Sequence, residues 1–331
     1  MVTRGQRNKL MNDLAKIARA IKKGDDYLLV GHSIPDGDCI GSLLGMYLGL
    51  LNLGKKVQVL LQDPVPVIYR YLTGSEAVLH PEQLREPFQN VIFLDCSDPE
   101  RTGNTVPGIV RNIKHTINID HHHSNTRFAT LNYVDEHASS TAEIVLELLR
   151  KLKVEISPEI ANALYIGIFQ DTGGFQHNST SSSTFRAAAD LRDKGADLDE
   201  IKLNLFESKS RAEIMLLCLA LKNMNFTTNG KIAWMILNYD DVNAIDAIDI
   251  CPEGIINYAL TIKGVEVGLM FREISPGLIK VGFRSKGTVD VAAIAAEFGG
   301  GGHRRAAGAR HDGNMEEAER EVVFAVESVV S

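Results

Sequence analysis

The chain has 331 residues, of which 44% are hydrophobic and 23% are charged, so its composition is that of a globular protein rather than a disordered or membrane-spanning one. This length suggests two domains. The formal net charge of −7 argues against a broad basic surface that binds long nucleic acids, and it leaves open a small anionic substrate held by metals and a local basic patch.

The N-terminus and the cysteines indicate where the protein works. Residues 1–26 are basic and helically patterned, without an apolar core and cleavage site, so we predict an amphipathic first helix and a cytoplasmic, non-secreted protein. No C-x-x-C pair is present, which is typical of a reducing compartment and argues against a zinc knuckle. The four scattered cysteines are Cys39, Cys96, Cys218 and Cys251.

Short apolar runs alternate with helical patterns in the first half of the chain. The predicted strands are Tyr27–Val30, Val57–Leu61, Val91–Leu94 and Thr116–Ile119. The predicted helices are Cys39–Leu53, Thr141–Leu152, which a Ser140-x-x-Glu143 capping box opens, and Pro158–Gln170. Repeated β-then-α order predicts an α/β fold with a parallel sheet and helices on both faces.

The pattern changes after a charged helical stretch. Predicted strands follow at Lys231–Leu237, Val265–Arg272 and Gly277–Arg284, then a helix at Val289–Phe298 and the glycine run Gly299–Gly302. We therefore predict a first domain over residues 1–190, a helical connector over 191–222, and a smaller C-terminal α/β domain over 223–331. The active site is expected in the cleft between the two domains.

Acids and histidines follow three of the predicted strands in the first domain. Ligand sites of open α/β sheets lie beyond the carboxyl ends of their strands, so these side chains are expected to converge. Each one alone is more typical of a turn or a surface position, but their conjunction favours a functional site. The predicted ligands are His32, Asp36 and Asp38 after the first strand, Asp95 and His121 after two later strands, and Asp171 at the end of a helix.

The ligand types indicate the metal. Four carboxylates and two imidazoles without a thiolate suit a hard or borderline divalent ion, Mn²⁺ or Mg²⁺, rather than structural zinc. Six ligands exceed what one ion with an open position needs. Two ions that share a carboxylate use all six, and such a pair stabilises the attacking and leaving oxygens of a phosphoryl transfer.

The order of these motifs resembles that of the DHH phosphoesterases. The matching motifs are His32-x-x-x-Asp36-x-Asp38 with Ile40-Gly-Ser, then Asp95, then Asp120-His121-His122, then Gly167-x-x-x-Asp171-Thr-Gly. The segment Gly299-Gly-Gly-Gly-His303-Arg-Arg-Ala-Ala-Gly308 is similar to the hallmark of the associated DHHA1 domain. The resemblance covers nearly the whole chain, and the two-domain layout is most similar to the nanoRNase/pAp-phosphatase group.

This resemblance implies roles for the residues of the first domain. One Mn²⁺ would be bound by His32, Asp36 and Asp95, and the second by Asp38, Asp95, His121 and Asp171, with Asp95 bridging. His122 would face the scissile phosphate or its leaving oxygen, and Asp120 would orient His121. His123 is expected to be a loop residue. The chain departs from the family in carrying Gly174 and then Phe175 after Asp-Thr-Gly, so one wall of the pocket is expected to differ.

The C-terminal glycine run predicts a backbone that can approach an anion closely through its N–H groups. The alternative is a flexible turn between a helix and a strand. The resemblance implies that Arg284 and His303 contact the phosphate or terminal nucleotide of a substrate. The predicted substrate-binding residues are Arg284, Gly300, Gly301, Gly302 and His303.

The resulting hypothesis is a Mn²⁺-dependent phosphodiesterase that hydrolyses short oligoribonucleotides to 5′-mononucleotides and pAp to AMP. A cyclic-di-AMP phosphodiesterase is the alternative with the same chemistry. A single-strand DNA exonuclease, an inorganic pyrophosphatase and a non-catalytic nucleotide sensor are disfavoured, the last because all six ligand positions carry competent side chains. The sequence leaves open a homodimer, the cleavage polarity and the choice among these substrates, and it predicts no membrane association.

Overall fold

The structure is a computed structural model that describes residues 4–84, 87–250 and 254–330. They form two units, divided between Ser208 and Lys209, inside the predicted connector 191–222. Within this described part of the chain, no helix is both long and apolar enough to cross a membrane. Cys251, one of the four scattered cysteines, lies outside the described residues.

Six strands of the first unit form one parallel sheet in the order β3-β2-β1-β4-β5-β6. The four strands predicted from the sequence are present, whereas β3 and β6 are too short or too polar to give a clear pattern. In chain order the strands are β1 (Tyr27–Val30), β2 (Val57–Leu60), β3 (Val78–Leu79), β4 (Asn90–Leu94), β5 (His115–Asp120) and β6 (Leu131–Val134).

Helices cover both faces of this sheet, as predicted. Successive strand residues such as Leu28 and Leu29 point to opposite faces, so each face of the sheet has its own core. The larger core lies under α1, α2, α4 and α5, and the smaller one lies under α3. The helices are α1 (Arg4–Lys23), α2 (Gly37–Asn52), α3 (Val106–Val110), α4 (Thr141–Leu152), α5 (Pro158–Asp171), α6 (Ser182–Asp193) and α7 (Leu198–Phe206).

Glycines bring α2, α4 and α5 unusually close to one another. A Cβ at Gly41 would lie 2.3 Å from the carbonyl oxygen of Ala163, and one at Gly167 would lie 2.5 Å from Cβ of Ala142. The Gly167 position is also 2.9 Å from Oδ1 of Asp38. The two glycines of the sequence motifs are therefore needed for helix packing, and this packing holds the ends of the three helices beside one another.

The second unit contains a mixed six-stranded sheet in the order β11-β12-β10-β9-β8-β7, with only β8 and β9 parallel. One face packs on α11 and α12 and the other on α8, α9 and α10. The elements are α8 (Arg211–Lys222), β7 (Met224–Phe226), β8 (Ile232–Leu237), α9 (Tyr239–Asn243), α10 (Asn257–Thr261), β9 (Val267–Ser275), β10 (Leu278–Ser285), α11 (Val291–Glu297), β11 (Gly301–His303), β12 (Ala306–Asp312) and α12 (Met315–Glu327).

Candidate metal centre

The strand order of the first sheet reverses at β1 and β4, where open α/β sheets bind their ligands. His32 lies two residues after β1, and Asp95 directly follows β4. Asp120 is the last residue of β5, and His121 follows it. The convergence expected from the strand ends is therefore present, and it lies at this switch point.

Three overlapping groups of three potential ligands meet there, and in each group the donor atoms lie within 4.8 Å of one another. Nε2 of His32 is 3.4 Å from Oδ2 of Asp95, while Nε2 of His121 is 3.7 Å from Oδ1 of the same carboxylate. Asp95 therefore belongs to two of the groups and presents a different oxygen to His32 and to His121. The groups are His32, Asp36 and Asp95; Asp95, His121 and His122; and Asp38, His121 and Asp171.

The N-terminus of α2 positions the first two carboxylates. Asp36 is its N-cap residue, and Oδ1 of Asp36 accepts hydrogen bonds of 3.0 Å from the amides of Asp38 and Cys39. Asp38 is buried, and its oxygens accept from the amides of Thr141 at 2.7 Å and Ala142 at 2.9 Å. The N-terminus of α4 thus orients Asp38 and favours its negative charge.

Asp95 is fixed by its backbone and by a neighbouring hydroxyl. Its φ of +59° is left-handed, a conformation that few residues other than glycine adopt without strain. Oγ1 of Thr141 donates to Oδ1 of Asp95 at 3.0 Å. Thr141 therefore contacts two of the candidate ligands, Asp38 and Asp95. The capping pattern at Ser140 predicts a helix start at this residue but does not indicate these contacts.

The histidine His32 is oriented for ligation through Nε2. Its Nδ1 lies 2.8 Å from the carbonyl oxygen of Ser33 and donates to it, which leaves Nε2 facing the carboxylates of the centre. Nε2 also lies 3.7 Å from Oδ1 of Asp36. A hydrogen bond to one imidazole nitrogen that leaves the other available is common among metal-binding histidines.

The hydrogen bond of Asp120 differs from the sequence expectation. We expected Asp120 to orient His121, but Oδ1 of Asp120 lies 2.8 Å from Nδ1 of His122. The other oxygen accepts a 2.6 Å hydrogen bond from Nδ2 of Asn125, which also donates to Asn118 at 2.8 Å. Adjacent residues in an extended segment point in opposite directions, so the last residue of β5 faces His122, two positions away. Asn125 had no signal in the sequence.

Excess negative charge characterises the centre. Burial, reinforced by the charges of Asp95 and Asp171, raises the pKa of Asp38 well above its usual range. Burial also raises the pKa of Asp171 to about 6, with a contribution from Asp95. The hydrogen bond that His122 donates to the carboxylate of Asp120 raises the pKa of His122 to about 9.

The donor set fits divalent cations. Four converging carboxylates repel one another when charged, and the carboxylates and imidazole nitrogens of these groups are ligand types that bind divalent metal ions. The hydrogen bonds to Asp38 and His32 hold these donors in place independently of a metal. The residues present therefore form a potential metal-binding cluster. His123, by contrast, is exposed and pairs with Glu136 at 2.6 Å.

Two of the predicted substrate-binding residues of the second unit share one sheet face. Arg284 of β10 and His303 of β11 both lie opposite Ala306 of β12, so they stand two strand spacings apart, roughly 10 Å. A cavity of about 390 Å³ opens on the Arg284 face, with Lys280 and Gly282 of the same strand in its lining. The structure thus places two cations of β10 along one cavity.

The glycine run has a structural explanation that its sequence did not reveal. A Cβ at Gly300 would lie 2.2 Å from the carbonyl oxygen of Gly308, and one at Gly302 would lie 2.5 Å from that of Ala306. The close backbone approach predicted for this run is therefore made to β12, and Gly301 begins the strand β11 rather than a flexible turn. Binding of an anion by these glycines stays a prediction.

Comparison with known proteins agrees with this arrangement. The DHH family, N-terminal domain, matches residues 26–168, and the DHHA1 domain matches residues 253–331. The Bifunctional oligoribonuclease and PAP phosphatase NrnA of Thermus thermophilus is 35% identical over 318 residues, which are 96% of this chain and 93% of that protein. The Cyclic-di-AMP phosphodiesterase GdpP of Geobacillus thermodenitrificans is 29% identical and covers 92% of this chain, but only 48% of that protein is matched.

A solved structure extends the similarity to the whole fold. The crystal structure of an exopolyphosphatase-related protein from Bacteroides fragilis has a TM-score of 0.87 and 30% identity, and the match covers 96% of both chains. Sequence motifs, strand order and full-length relatives therefore agree. The chain belongs to the DHH–DHHA1 phosphoesterase family.

Proposed function

We propose that this protein hydrolyses RNA oligonucleotides of a few nucleotides to 5′-mononucleotides, and pAp to AMP, with two Mn²⁺ ions. The observation that carries the proposal is the position of Asp95, whose two oxygens face His32 and His121 in two adjacent ligand groups. A relative similar over nearly its whole length, from Thermus thermophilus, is named for these two activities.

The two ions share Asp95 in this proposal, and Mg²⁺ is the alternative metal. Bound ions would lower the pKa of a water molecule and neutralise charge that develops on the phosphoryl group. A separate nucleophilic side chain is then unnecessary. The first ion would be held by His32, Asp36 and Asp95, and the second by Asp38, Asp95, His121 and Asp171.

His122 is proposed to contact the scissile phosphate or its leaving oxygen. Its Nδ1 is held by Asp120, so the ring presents its other nitrogen, Nε2, to a ligand. Nδ2 of Asn125 in turn donates to Oδ2, the second carboxylate oxygen of Asp120. This chain of hydrogen bonds orients a hydrogen-bond donor beside the metal cluster, as an electrostatic stabiliser of a phosphoryl oxygen requires.

The second unit is proposed to bind the other end of the substrate. Arg284 and His303 lie on one sheet face, and Gly300, Gly301 and Gly302 precede or form the adjoining strand. A few cationic side chains match a substrate with few phosphates, whereas a long nucleic acid needs many phosphate contacts. The net charge of −7 agrees with this restriction to short substrates.

The cellular setting is also part of the proposal. The described cysteines Cys39, Cys96 and Cys218 are free thiols, which supports the reducing environment of the cytoplasm. Substrates would then be short RNA fragments, pAp or dinucleotides of that compartment.

A cyclic-di-AMP phosphodiesterase is the second candidate. A relative named for this activity is 29% identical over 92% of this chain. It uses the same phosphodiester chemistry, so the metal cluster alone does not distinguish the two. Only 48% of that protein is matched, whereas 93% of the Thermus relative is, and this difference favours the first proposal.

The experiment compares turnover of a linear diribonucleotide, pAp and cyclic di-AMP by the purified protein with Mn²⁺. We expect the diribonucleotide and pAp to be hydrolysed and cyclic di-AMP to be the poorest substrate. The variants Asp95→Ala and His121→Ala should be inactive on all three. Full activity in both variants would refute the assignment of the centre, and a preference for cyclic di-AMP would establish the second candidate instead.

A further inference from the structure

Four phenylalanines form a continuous aromatic strip on the first unit. The Phe169 ring lies 5.8 Å from those of Phe206 and Phe175, with edge-to-face geometry in both pairs. The rings of Phe175 and Phe185 are stacked, 5.4 Å apart at 24°. The strip thus joins the end of α5, the loop after it, α6 and α7.

Both ends of the strip are open to solvent. Phe185 is 55% exposed and Phe206 is 56% exposed, while Phe169 and Phe175 are half-buried between them. Single exposed apolar residues are ordinary, but an exposed aromatic cluster is a common mark of a binding surface. The two half-buried rings pack on the core below, so they support the exposed ones.

Two separate connections link residues of the strip to neighbours of the candidate metal ligands. Phe175 follows Asp171 by four residues, and its amide donates to Oγ1 of Thr172 at 3.0 Å. Phe185 follows Thr184, whose Oγ1 donates to Oε2 of Glu143 at 3.1 Å in the first turn of α4. Amides of that same turn bind Asp38, so both connections lead to candidate metal ligands.

The backbone of Phe175 is strained. Gly173, Gly174 and Phe175 have consecutive φ values of +57°, +67° and +66°. A bulky residue adopts this left-handed conformation at a cost that glycine avoids. Strain of this kind persists where the surrounding structure enforces it, and it is common at ligand-binding sites. Here it places a ring between Phe169 and Phe185.

From these contacts we infer that the aromatic strip is a stacking platform for a nucleobase of the substrate. This inference rests on the proposed function and adds to it a subsite that holds a base of the substrate. Stacking on an uncharged ring is available to all four bases, so the platform contributes affinity with little base preference. It also provides contacts that do not depend on cations, which suits a protein of net charge −7.

The test uses two substrates that differ only in the base. The first is a 5′-phosphorylated diadenylate, and the second is the same molecule with an abasic sugar at one position. The ratio of kcat/KM for the two is measured for the wild type, Phe185→Ala, Phe206→Ala and the double variant. Phe324→Ala, which truncates a 72% exposed phenylalanine on α12, is the matched control.

We expect the preference for diadenylate over the abasic substrate to fall about 5- to 100-fold in the double variant. This range corresponds to the usual binding free energy of one base–aromatic stack. Phe324→Ala should keep the wild-type preference, and Phe185→Trp should restore what Phe185→Ala loses. The inference is overturned if the double variant keeps the wild-type ratio, or if it loses both substrates equally.

Two further measurements distinguish a stacking platform from a purely structural role of these rings and from a contact between two copies of the chain. Because both exposed rings are far from fully buried, we expect their truncation to leave the melting temperature nearly unchanged. The variant Phe185→Leu tests the same position with an apolar side chain that has no aromatic ring. If sedimentation shows a wild-type dimer that the double variant dissociates, the strip joins two copies of the chain and the platform is refuted. A wild type that hydrolyses neither diadenylate nor pAp refutes the proposed function itself.

Discussion

Replacing Asp171 by asparagine should stabilise the protein when metal is absent and abolish its activity when Mn²⁺ is present. Asp171 ends α5 with its Oδ2 3.4 Å from Nε2 of His121, in a cluster that also contains Asp38 and Asp95. Without a cation these carboxylates repel one another. Asparagine keeps the size of the side chain and removes its charge.

The magnitude follows from the raised pKa of Asp171. A shift from 3.8 to about 6 corresponds to about 3 kcal/mol, since one pKa unit is worth about 1.4 kcal/mol. The side chain is 31% exposed, and solvent screening reduces the effect to about 1–2 kcal/mol. The folded state binds this proton more tightly than the unfolded state, so the penalty is complete above pH 6 and disappears as the pH falls towards 3.8.

The assay is chemical denaturation of the metal-free protein between pH 4 and pH 8, a window that spans the shift of Asp171 from 3.8 to about 6. The variant should be the more stable protein at neutral pH, and its advantage should shrink at acidic pH. Added Mn²⁺ should stabilise the wild type more than the variant. Asp193→Asn, at an exposed position that ends α6, is the matched control. A variant less stable than the wild type at neutral pH would refute the reasoning.

Four further predictions test other parts of the structure. Asp95→Asn should weaken Mn²⁺ binding by about 100-fold or more, measured by calorimetry, because this carboxylate belongs to the ligand group of His32 and to that of His121 and His122; unchanged affinity would contradict its bridging position. Asn125→Ala should lower kcat about 10- to 100-fold by freeing Asp120, whereas Asn132→Ala, which breaks only a loop contact to Ala129, should not. Ile34→Asn should raise stability by about 1 kcal/mol, because this 81% exposed residue has a φ of +54°; a lower melting temperature would contradict the strain. Gly41→Ala should destabilise the protein by about 1–3 kcal/mol, because its Cβ would lie 2.3 Å from a carbonyl oxygen of α5; a neutral effect in denaturation would show that the helices can separate freely.

The sequence predicted the parts of the site that depend on strand ends. His32, Asp95 and His121 follow three predicted strands, and parallel strands in one sheet bring their carboxyl ends to the same edge. Asp171 was predicted at a helix end, where the structure has it. Local patterning therefore indicated six side chains that the structure brings close together.

Contacts between distant segments were not predictable in this way. Thr141 binds Asp38 across 103 residues of sequence, and no local pattern reports such a pairing. The predicted hydrogen-bond partner of Asp120, His121, was wrong, and the structure has His122 instead. The direction of the side chains at the end of β5 depends on geometry that the motif does not encode. The strand β12 was missed because its small and charged residues lack the β-branched signal of a strand.

The aromatic strip shows the same limit. Phe169 and Phe206 are 37 positions apart in the sequence, and only the packing of α7 beside α5 brings their rings to 5.8 Å. Phe175 stood out in the sequence as a departure from the family pattern, but its left-handed backbone and its stacking on Phe185 required the structure.

The most direct test of the proposed function compares kcat/KM for a 5′-phosphorylated diribonucleotide with kcat/KM for a long single-stranded RNA of the same composition. Both are measured with Mn²⁺, and the Asp95→Ala variant is the inactive control. We predict that the diribonucleotide is strongly preferred, that the products are 5′-mononucleotides, and that Asp95→Ala hydrolyses neither substrate. A preference for the long RNA, or full activity in Asp95→Ala, would contradict the account.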